Sequence, residues 1–368
     1  MNIVIDDRIP FIRGIFEPHA EVLYLPGTEI RREHLLDADC LLIRTRTRCN
    51  QKLLEGTRVK FIGTATIGFD HIDTNWCESN GITWTNAPGC NSGSVAQYIT
   101  AALFELASRQ HFNLKDKTLG IIGVGNVGKK VEKIARVLGM RVILNDPPRE
   151  RTGDPANFTD LPALLQNADI ITIHVPLNRE EPDKTLHMVD RHFLHALKPG
   201  AILINSSRGE VLDEEQVVSE LRGLREPMGG LVLDVWENEP DINRELMVKA
   251  DIATPHIAGY SVDGKYNATK MISAAVCREF GWPEACLTTL EDVRLNLKPG
   301  FSSLVTCHAF VQAAYNILAD DNRLRESPET FEKQRNNYPV RREFSACSIE
   351  PFPEGETGRI LTGLGFQH

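Results

Sequence analysis

Residues 120–148, GIIGVGNVGKKVEKIARVLGMRVILNDPP, carry the clearest fold signal in the chain. A short apolar run leads into Gly123, Gly125 and Gly128, which form G-x-G-x-x-G at the start of a segment with helical spacing. A second apolar run follows and ends at Asp146. Strand, glycine turn, helix, strand and terminal acid in this order are typical of a Rossmann βαβ unit that binds a dinucleotide.

Each part of this unit predicts a contact with the dinucleotide. The glycines allow a tight turn and a close backbone approach, so the pyrophosphate would rest on helix N–H groups at the positive end of the helix dipole. Asp146 would bind the adenosine ribose and repel a 2′-phosphate, which favours NAD over NADP, although Arg149 nearby could accommodate that phosphate. A different ligand, such as S-adenosylmethionine, is the alternative for this fold, and the complete unit favours the dinucleotide.

Two arrays of this kind follow one another along the chain. In each, short β-rich runs alternate with amphipathic segments, such as a helix expected over residues 11–19 of the first array. This alternation predicts parallel sheets covered by helices on both faces. A helix expected over residues 264–280 follows the last strand of the second array and could return to pack on the first.

We therefore predict an α/β protein with two Rossmann-like doubly wound parallel-sheet domains and an interdomain cleft. A flavodoxin-like substrate-binding domain would comprise residues 1–92 and 260–284, and the NAD-binding Rossmann domain residues 93–259. The cleft is the natural place for a site that draws on both domains.

The character of the sequence changes at about residue 285. Residues 303–327 predict a helix, residues 328–337 a second helical segment and residues 343–350 a strand. We interpret residues 285–368 as a small C-terminal α+β domain that serves dimerisation rather than chemistry.

Composition limits the classes of binding partner and indicates the cellular compartment. The 368 residues are 42% hydrophobic and 25% charged, with a net charge of -9 and no run of like charge, so we expect no nucleic-acid binding. No apolar stretch approaches the length of a membrane span, and the N-terminus enters a strand at once, so we expect neither a membrane association nor a signal peptide. Eight scattered cysteines lack C-x-x-C or zinc spacing, which predicts a cytoplasmic protein without a metal site.

Three predicted strands of the second array end in polar groups. Arg208 follows AILINSS, Glu239 follows GLVLDVW, and His256 follows DIATP. The carboxyl ends of parallel strands face the ligand crevice of a doubly wound sheet, so these groups can converge. Each one alone is more often a turn or capping residue, whereas the three together favour a catalytic site in which the imidazole transfers a proton.

These motifs resemble those of a known family. N-x-x-R-G, D-V-x-x-x-E-P and P-H-I-A-G, behind G-V-G-N-V-G and HVPL, are similar to the NAD-dependent D-2-hydroxyacid dehydrogenases, over nearly the whole chain to about residue 345. GTATIGFDHID, NAPGCN, LNDPPR, TPHIAGYSVDGK and NNYPVRREF resemble members that oxidise a small phosphorylated 2-hydroxy acid. The resemblance implies NAD as the cofactor and a homodimer.

The resemblance also implies a role for each residue. His256 would take the proton of the substrate C2 hydroxyl, and Glu239, rather than the nearer Glu237, would orient the imidazole and stabilise its cation. Arg208 would bind the substrate carboxylate. The implied cofactor contacts are Gly123, Gly125, Asn126, Val127, Gly128, Asp146, Val175, Pro176, Ser206, Asp234 and Gly259. The implied substrate contacts are Arg44, Thr45, Thr66, Tyr260 and Arg342, the last reaching a phosphate across a dimer.

Several alternatives stay open at this point. Another D-2-hydroxyacid dehydrogenase, acting on 3-phosphoglycerate or on glyoxylate or hydroxypyruvate, would share the catalytic residues. An NADH-sensing binding protein on the same fold would use the cofactor without turnover. Tyr260 could be a packing aromatic, and the arginines could be structural ion-pair partners.

Overall fold

The computed structural model describes residues 1–223, 228–283, 290–295 and 303–368, with side chains from residue 307 onward in the last range. The strands in chain order are β1 (Asn2–Asp6), β2 (Glu21–Leu25), β3 (Cys40–Ile43), β4 (Phe61–Thr64), β5 (Thr83–Thr85), β6 (Thr118–Ile122), β7 (Arg141–Asn145), β8 (Ile170–Ile173), β9 (Ile202–Asn205), β10 (Gly230–Leu233), β11 (Ile252–Ala253), β12 (Val293–Leu295) and β13 (Cys347–Ile349).

Helices connect most of these strands. In chain order they are α1 (Gln51–Leu54), α2 (Thr74–Ser79), α3 (Ser92–Gln110), α4 (Asn126–Val137), α5 (Pro147–Arg151), α6 (Leu161–Asn167), α7 (Arg191–Ala196), α8 (Glu214–Gly223), α9 (Arg244–Lys249), α10 (Val262–Phe280), α11 (Ser303–Ala314), α12 (Ile317–Glu326), α13 (Phe331–Asn336) and α14 (Gly355–Leu364). Short 3-10 turns cover Arg32–Leu35, Leu114–Asp116, Gly209–Val211, Pro328–Thr330 and Phe344–Ala346.

The chain divides into two compact units, residues 1–91 with 261–291, and residues 92–260 with 292–368. The first unit contains a parallel sheet with the strand order β2-β1-β3-β4-β5 among its described residues. Its central strands are buried on both faces, as their apolar sequences require. Helix α10 packs over Gly63 of β4, where an added Cβ would lie 3.7 Å from Ile272.

The helix predicted over residues 11–19 is wrong. The structure has turns there, with Phe11 and Gly14 at φ values of 61° and 83°. Positive φ interrupts a right-handed helix, and Pro10 just before the segment and Pro18 within it lack a backbone N–H. The amphipathic spacing of this segment instead places Ile12 and Phe16 in the core of the first unit.

The second unit contains a parallel sheet with the order β11-β10-β9-β8-β6-β7 in its described part. The chain runs outward from β6 to β7 and then crosses to β8 on the other side of β6. The strand order therefore reverses between β6 and β8, which is where open α/β sheets form their ligand crevice, at the carboxyl ends of the strands. The two Rossmann-like sheets agree with the predicted fold class.

The C-terminal region extends the core of this second unit. Helix α11 packs against α3 and α14, and α14 also packs against α4, while β12 and β13 form a small parallel pair. The segment 303–327 forms two helices rather than the single one predicted, because the chain leaves helical geometry at Tyr315 and Asn316. The predicted domain start at residue 285 lies outside the described residues, and the three-domain division stays a prediction.

Helix α12 runs along β11, the edge strand of the larger sheet. Asp321 Oδ1 accepts a hydrogen bond of 2.7 Å from the backbone N–H of Ala253. Arg325 donates to the carbonyls of Met247 and Ala250 at 2.9 and 2.6 Å. Side chains of the C-terminal region therefore satisfy backbone groups beside the strand that leads to His256. None of the helices among the described residues is long and apolar enough to cross a membrane.

Candidate active site

The three glycines after β6 differ in what limits them. Gly123 has φ of +87°, and a Cβ on it would lie 2.6 Å from the carbonyl oxygen of His174. A Cβ on Gly128 would lie 2.2 Å from the carbonyl oxygen of Gly123, so this glycine lets α4 pack close to its strand. A Cβ on Gly125 would meet no atom of the described residues within 4 Å. The fold accounts for the first and third glycines, whereas open space beside the second suits a ligand.

The start of α4 is available to an anion. Gly125 is the residue before the helix and offers no side chain to cap it. The first N–H groups of a helix lack partners within the helix and carry its partial positive charge. This end of α4 therefore fits the pyrophosphate of a dinucleotide.

Asp146, at the end of β7, ties the glycine loop to α5. Its Oδ2 accepts a 2.8 Å hydrogen bond from the N–H of Val124, and its Oδ1 accepts one of 3.1 Å from the N–H of Arg149. The Arg149 guanidinium donates to the Val124 carbonyl and to Asp154, each at 2.5 Å. Arg149 is thus engaged by an acid and a carbonyl of its own chain, which favours NAD over NADP.

Two further predicted cofactor segments lie at the ends of neighbouring strands. After β8, Val175 lies beside Gly123, and the Pro176 carbonyl accepts a 2.6 Å hydrogen bond from Thr185 Oγ1. After β9, Ser206 Oγ is buried and has no hydrogen-bond partner in the part of the chain that the structure describes. An orphaned buried hydroxyl is uncommon in a folded protein and fits a site completed by a ligand.

The strands that carry the three predicted catalytic residues are neighbours in the sheet, in the order β11-β10-β9. Arg208 follows β9 and is half-buried, and its Nη1 donates a 2.8 Å hydrogen bond to the Ser207 carbonyl. Asn205 Nδ2 donates to the Arg208 carbonyl at 2.9 Å and so holds the turn that carries the guanidinium. Arg208 therefore lies on the strand end adjacent to the one that leads to Glu239.

The structure brings His256 and Glu239 together. Nδ1 of the imidazole lies 2.7 Å from Oε2 and 2.9 Å from Oε1 of the carboxylate. The N–H of Trp236 donates to the same Oε1 at 3.1 Å. Burial alone would raise the pKa of Glu239, but the hydrogen bond from His256 and the positive charges of His256 and Arg335 hold this pKa below its usual value. An ionised Glu239 on Nδ1 leaves Nε2 of the ring for proton transfer.

The turn that carries His256 is held by Asp234. His256 has φ of 56°, a conformation that few residues other than glycine adopt. The Asp234 carboxylate accepts 2.8 Å hydrogen bonds from the N–H groups of Ile257 and Ala258, and one of 2.6 Å from Thr254 Oγ1. Its backbone carbonyl accepts the His256 N–H at 2.6 Å. Asp234 thus orders the turn that carries His256. Its contact with the nicotinamide stays a prediction, as does the cofactor contact of Gly259 just beyond.

The two glutamates near the end of β10 have different partners. Glu237 Oε1 lies 2.6 Å from His187 Nε2, away from the His256 pair, and the Glu237 N–H donates to Glu214 Oε1 at 2.9 Å. Burial, with the nearby charges of Glu237 and Glu239, raises the pKa of Glu214 to about 7, against the opposing hydrogen bond from the Glu237 N–H. Glu239 is therefore the acid that contacts the imidazole.

Comparisons with known proteins show the family to which this chain belongs. Residues 95–258 match the D-isomer specific 2-hydroxyacid dehydrogenase NAD binding domain, and residues 289–365 match a domain of unknown function, DUF3410. Erythronate-4-phosphate dehydrogenase of Bacteroides fragilis is 48% identical over 354 residues, which cover 95% of this chain and 99% of that protein. The Klebsiella pneumoniae enzyme of the same name is 41% identical over 374 residues, covering 100% and 98%. The chain belongs to the erythronate-4-phosphate dehydrogenase family.

Solved structures share the fold. The NAD-bound 3-phosphoglycerate dehydrogenase of Entamoeba histolytica has a TM-score of 0.64 and 27% identity, covering 76% of this chain and 95% of that one. D-Lactate dehydrogenase of Aquifex aeolicus, in complex with NAD and lactic acid, has a TM-score of 0.62 and 25% identity, covering 76% and 96%. This member of the erythronate-4-phosphate dehydrogenase family is an NAD-dependent D-2-hydroxyacid dehydrogenase.

The substrate residues predicted in the first unit lie at the ends of adjacent strands β3 and β4. Thr45 is exposed, and Arg44 donates a 3.2 Å hydrogen bond to the Arg8 carbonyl. Thr66 Oγ1 donates to the Gly68 carbonyl at 2.8 Å. These residues lie at the carboxyl ends of parallel strands, where α/β sheets bind their ligands, so they are placed to contact a ligand.

The substrate residues predicted in the second unit lie near the C-terminal region. Tyr260 packs edge-on against Tyr338, with ring centroids 5.8 Å apart. The Arg342 carbonyl accepts a 3.0 Å hydrogen bond from Gln97 Nε2. The role of Arg342 across a dimer stays a prediction.

Sequence reasoning missed two arginines of the C-terminal region that contact this site. Arg341, only 4% exposed, donates a 2.5 Å hydrogen bond to the Ala258 carbonyl in the turn that carries His256. Its neighbour Val340 is 82% exposed. Arg335 Nη1 lies 3.8 Å from Glu239 Oε2. A buried arginine beside an exposed valine reverses the usual preference, so the hydropathy pattern contains no signal for it.

Proposed function

We propose that the chain oxidises 4-phospho-D-erythronate to (R)-3-hydroxy-2-oxo-4-phosphobutanoate with NAD, in pyridoxal 5′-phosphate biosynthesis. The observation that carries the proposal is the 2.7 Å contact between His256 Nδ1 and Glu239 Oε2. These residues follow β11 and β10, strands of the same parallel sheet as β6, which leads into the glycine loop. The substrate is supported by relatives of 48% and 41% identity that carry the name erythronate-4-phosphate dehydrogenase over almost their full lengths.

The residues around the glycine loop fit NAD. The open space at Gly125, the uncapped start of α4 and the orphaned Ser206 hydroxyl are the observations that support this. We assign NAD binding to Gly123, Gly125, Asn126, Val127, Gly128, Asp146, Val175, Pro176, Ser206, Asp234 and Gly259. When bound, NAD accepts the hydride from C2 of the substrate.

His256 accepts the proton that the C2 hydroxyl loses as the hydride departs. Glu239 holds Nδ1, so the proton arrives on Nε2 and the ring becomes a cation. The adjacent carboxylate stabilises that cation, and the Asp234 hydrogen bonds to the N–H groups of Ile257 and Ala258 hold the turn that carries the ring. The basic form of the pair is regenerated when the imidazole releases the proton to solvent, which its 33% exposed side chain permits.

Arg208 binds the substrate carboxylate. A guanidinium presents two parallel N–H groups that match a carboxylate, and its charge stabilises the oxygen at C2 as the carbonyl forms. Arg44, Thr45, Thr66, Tyr260 and Arg342 are the further substrate contacts that we propose, on the family resemblance.

A substrate panel tests this function. Purified protein would be offered 4-phospho-D-erythronate, 3-phospho-D-glycerate, D-glycerate, glycolate and D-lactate with NAD or NADP, while the absorbance of reduced nicotinamide is followed. We expect the highest kcat/KM with 4-phospho-D-erythronate and NAD. His256→Asn should still bind NAD but lose at least about a hundredfold in kcat, because the proton acceptor is gone. A preference for 3-phospho-D-glycerate would refute the substrate assignment, and NADH binding without turnover of any acid would favour the sensing alternative.

We also propose that the protein is a cytoplasmic homodimer. Cys40, Cys49, Cys77 and Cys307 are buried thiols, and burial raises the pKa of Cys77 and of Cys307 to about 11. Such thiols are unreactive and suit a reducing compartment. The family resemblance supports the dimer. Light scattering during size-exclusion chromatography would give its mass, and a monomer at all concentrations would contradict it.

A further inference from the structure

Arg335, on α13 in the C-terminal region, lies against the proposed catalytic pair. Its Nη1 is 3.8 Å from Glu239 Oε2, and that oxygen is also 2.7 Å from His256 Nδ1. The arginine side chain is only 20% exposed. A guanidinium removed from water needs nearby negative charge, and Glu239 is one source of it.

Arg335 is held in place by its own helix and by an aromatic ring outside it. Phe331 stands four residues earlier, so its ring shares a helix face with Arg335 and lies 5.7 Å from the guanidinium carbon. The Tyr260 ring lies 5.8 Å from the same carbon. Glu332 Oε1 accepts a 3.2 Å hydrogen bond from Nη1. These contacts limit the rotamers of a long side chain and keep its charge beside Glu239.

Both acids and cations surround the imidazole. Glu239 contacts the ring, Asp234 interacts with it from the end of β10, and Glu214 and Glu237 are further acids near Glu239. Arg341 donates to the Ala258 carbonyl in the turn that carries His256 and interacts with Asp234, and Arg208 follows the neighbouring strand β9. The oxidation requires the imidazole to be neutral at the start of each turnover, because it then accepts the proton of the substrate hydroxyl. A cation next to Glu239 offsets part of the negative charge that these acids place beside the ring.

We propose that Arg335 is a positioning residue for the reaction: it holds the Glu239 carboxylate against His256 and offsets its charge, so that the imidazole releases its proton more readily. This inference rests on the acid–base role of His256 in the proposed function. It also gives the C-terminal region a part in the chemistry, in addition to the dimerisation predicted for it.

The size of the effect follows from the geometry. Arg335 Nη1 and His256 Nδ1 are at most about 6.5 Å apart, the sum of their 3.8 Å and 2.7 Å distances to the same oxygen. With an effective dielectric constant between about 20 and 80, a unit charge at that distance moves a titration midpoint by roughly 0.5 to 2 pH units.

The test is an NMR titration of the His256 imidazole in the full-length protein without substrate, with His256→Asn to assign its resonance. In Arg335→Gln, we expect the midpoint to move to higher pH by roughly 0.5 to 2 units, because a cation that opposes the imidazolium is lost. Arg335→Lys should restore most of the wild-type midpoint. Arg359→Gln, which removes an exposed arginine of α14, is the matched control and should leave the midpoint unchanged.

A second variant acts in the opposite direction. Glu332→Gln removes the negative charge of an acid that accepts a hydrogen bond from the Arg335 guanidinium. The midpoint of the His256 titration should therefore move to lower pH. Because the Glu332 side chain is 35% exposed, this variant tests the idea even if Arg335→Gln does not fold. Unchanged midpoints in the folded variants, or equal shifts in Arg335→Gln and Arg335→Lys, would overturn the proposal.

Kinetics provide the second measurement. The acidic limb of the kcat/KM profile for oxidation should move to higher pH in Arg335→Gln, with a loss of about threefold or more on that limb and recovery at high pH. A purely structural role would lower the rate at every pH. The titration needs no substrate, so a protein that fails to turn over 4-phospho-D-erythronate would refute the proposed function without deciding the role of Arg335.

Discussion

The Gly125→Ala substitution tests whether the pyrophosphate of NAD binds beside the glycine loop. The added Cβ would meet no atom of the described residues within 4 Å, but Gly125 has φ of -76° and ψ of -147°, which lies outside the α and β regions that alanine favours. We therefore expect the variant to fold with a free energy of unfolding lower by about 1 to 3 kcal/mol, because alanine is strained in a sparsely populated backbone region. The methyl group would occupy the space that we assign to the pyrophosphate.

The expected loss of NAD affinity follows from the hydrogen bonds at stake. Pushing the pyrophosphate away from the start of α4 would weaken one or two N–H contacts to a charged oxygen, each of which contributes about 1.5 to 3 kcal/mol. A loss of at least about 1.4 kcal/mol corresponds to a tenfold higher Kd. Isothermal titration calorimetry would measure the Kd of NAD, and urea unfolding would measure stability.

Two other glycines provide the controls. Gly223→Ala, at the end of α8, places a Cβ where no described atom lies within 4 Å. It should keep the free energy of unfolding or raise it by up to about 1 kcal/mol, and NAD affinity should not change. Gly128→Ala places a Cβ 2.2 Å from the Gly123 carbonyl oxygen and should destabilise the protein by about 1 to 3 kcal/mol. A folded Gly125→Ala protein with wild-type NAD affinity would refute the placement of the pyrophosphate on this loop.

Two further predictions concern single carboxylates. Asp146→Ala should lower the preference for NAD over NADP, measured as the ratio of their Kd values. It should also lower the free energy of unfolding by about 1 kcal/mol, because Asp146 caps α5. An unchanged ratio would mean that another group selects the cofactor. The pKa of Glu214 is raised from 4.5 to about 7, so the folded protein keeps a proton that the unfolded chain releases, and stability should fall as pH rises from about 4.5 to 7. Glu214→Gln should remove roughly 2 kcal/mol of this pH dependence in urea unfolding, and an identical slope in the variant would contradict the assignment.

The proposed catalytic pair, Glu239 and His256, illustrates what a sequence pattern can predict. Glu239 and His256 follow consecutive strands of a predicted parallel sheet, and such strands end at the same edge. That rule placed the two side chains near one another, and the structure has them 2.7 Å apart. The choice between Glu237 and Glu239 did not follow from strand spacing, and it came from the resemblance to a family.

The segment at residues 11–19 illustrates the opposite case. Its apolar spacing favoured a helix, and Ile12 and Phe16 are indeed buried, but the backbone reaches these positions through turns. Periodicity reports which side chains face the core and does not specify the backbone path between them. The glycine at position 14 was the signal in the sequence against a helix, and in the structure its φ is 83°.

The sequence alone determined the glycine loop, the parallel sheets and the order of catalytic residues along the chain. These features depend on neighbours within a few residues, because positive φ, close backbone approach and strand alternation are local requirements. Only the tertiary structure decided that Arg335 lies beside Glu239 and that Arg341 contacts the turn that carries His256. Those contacts depend on how the C-terminal helices pack beside β11, and such packing brings together residues whose separation along the chain contains no regular pattern.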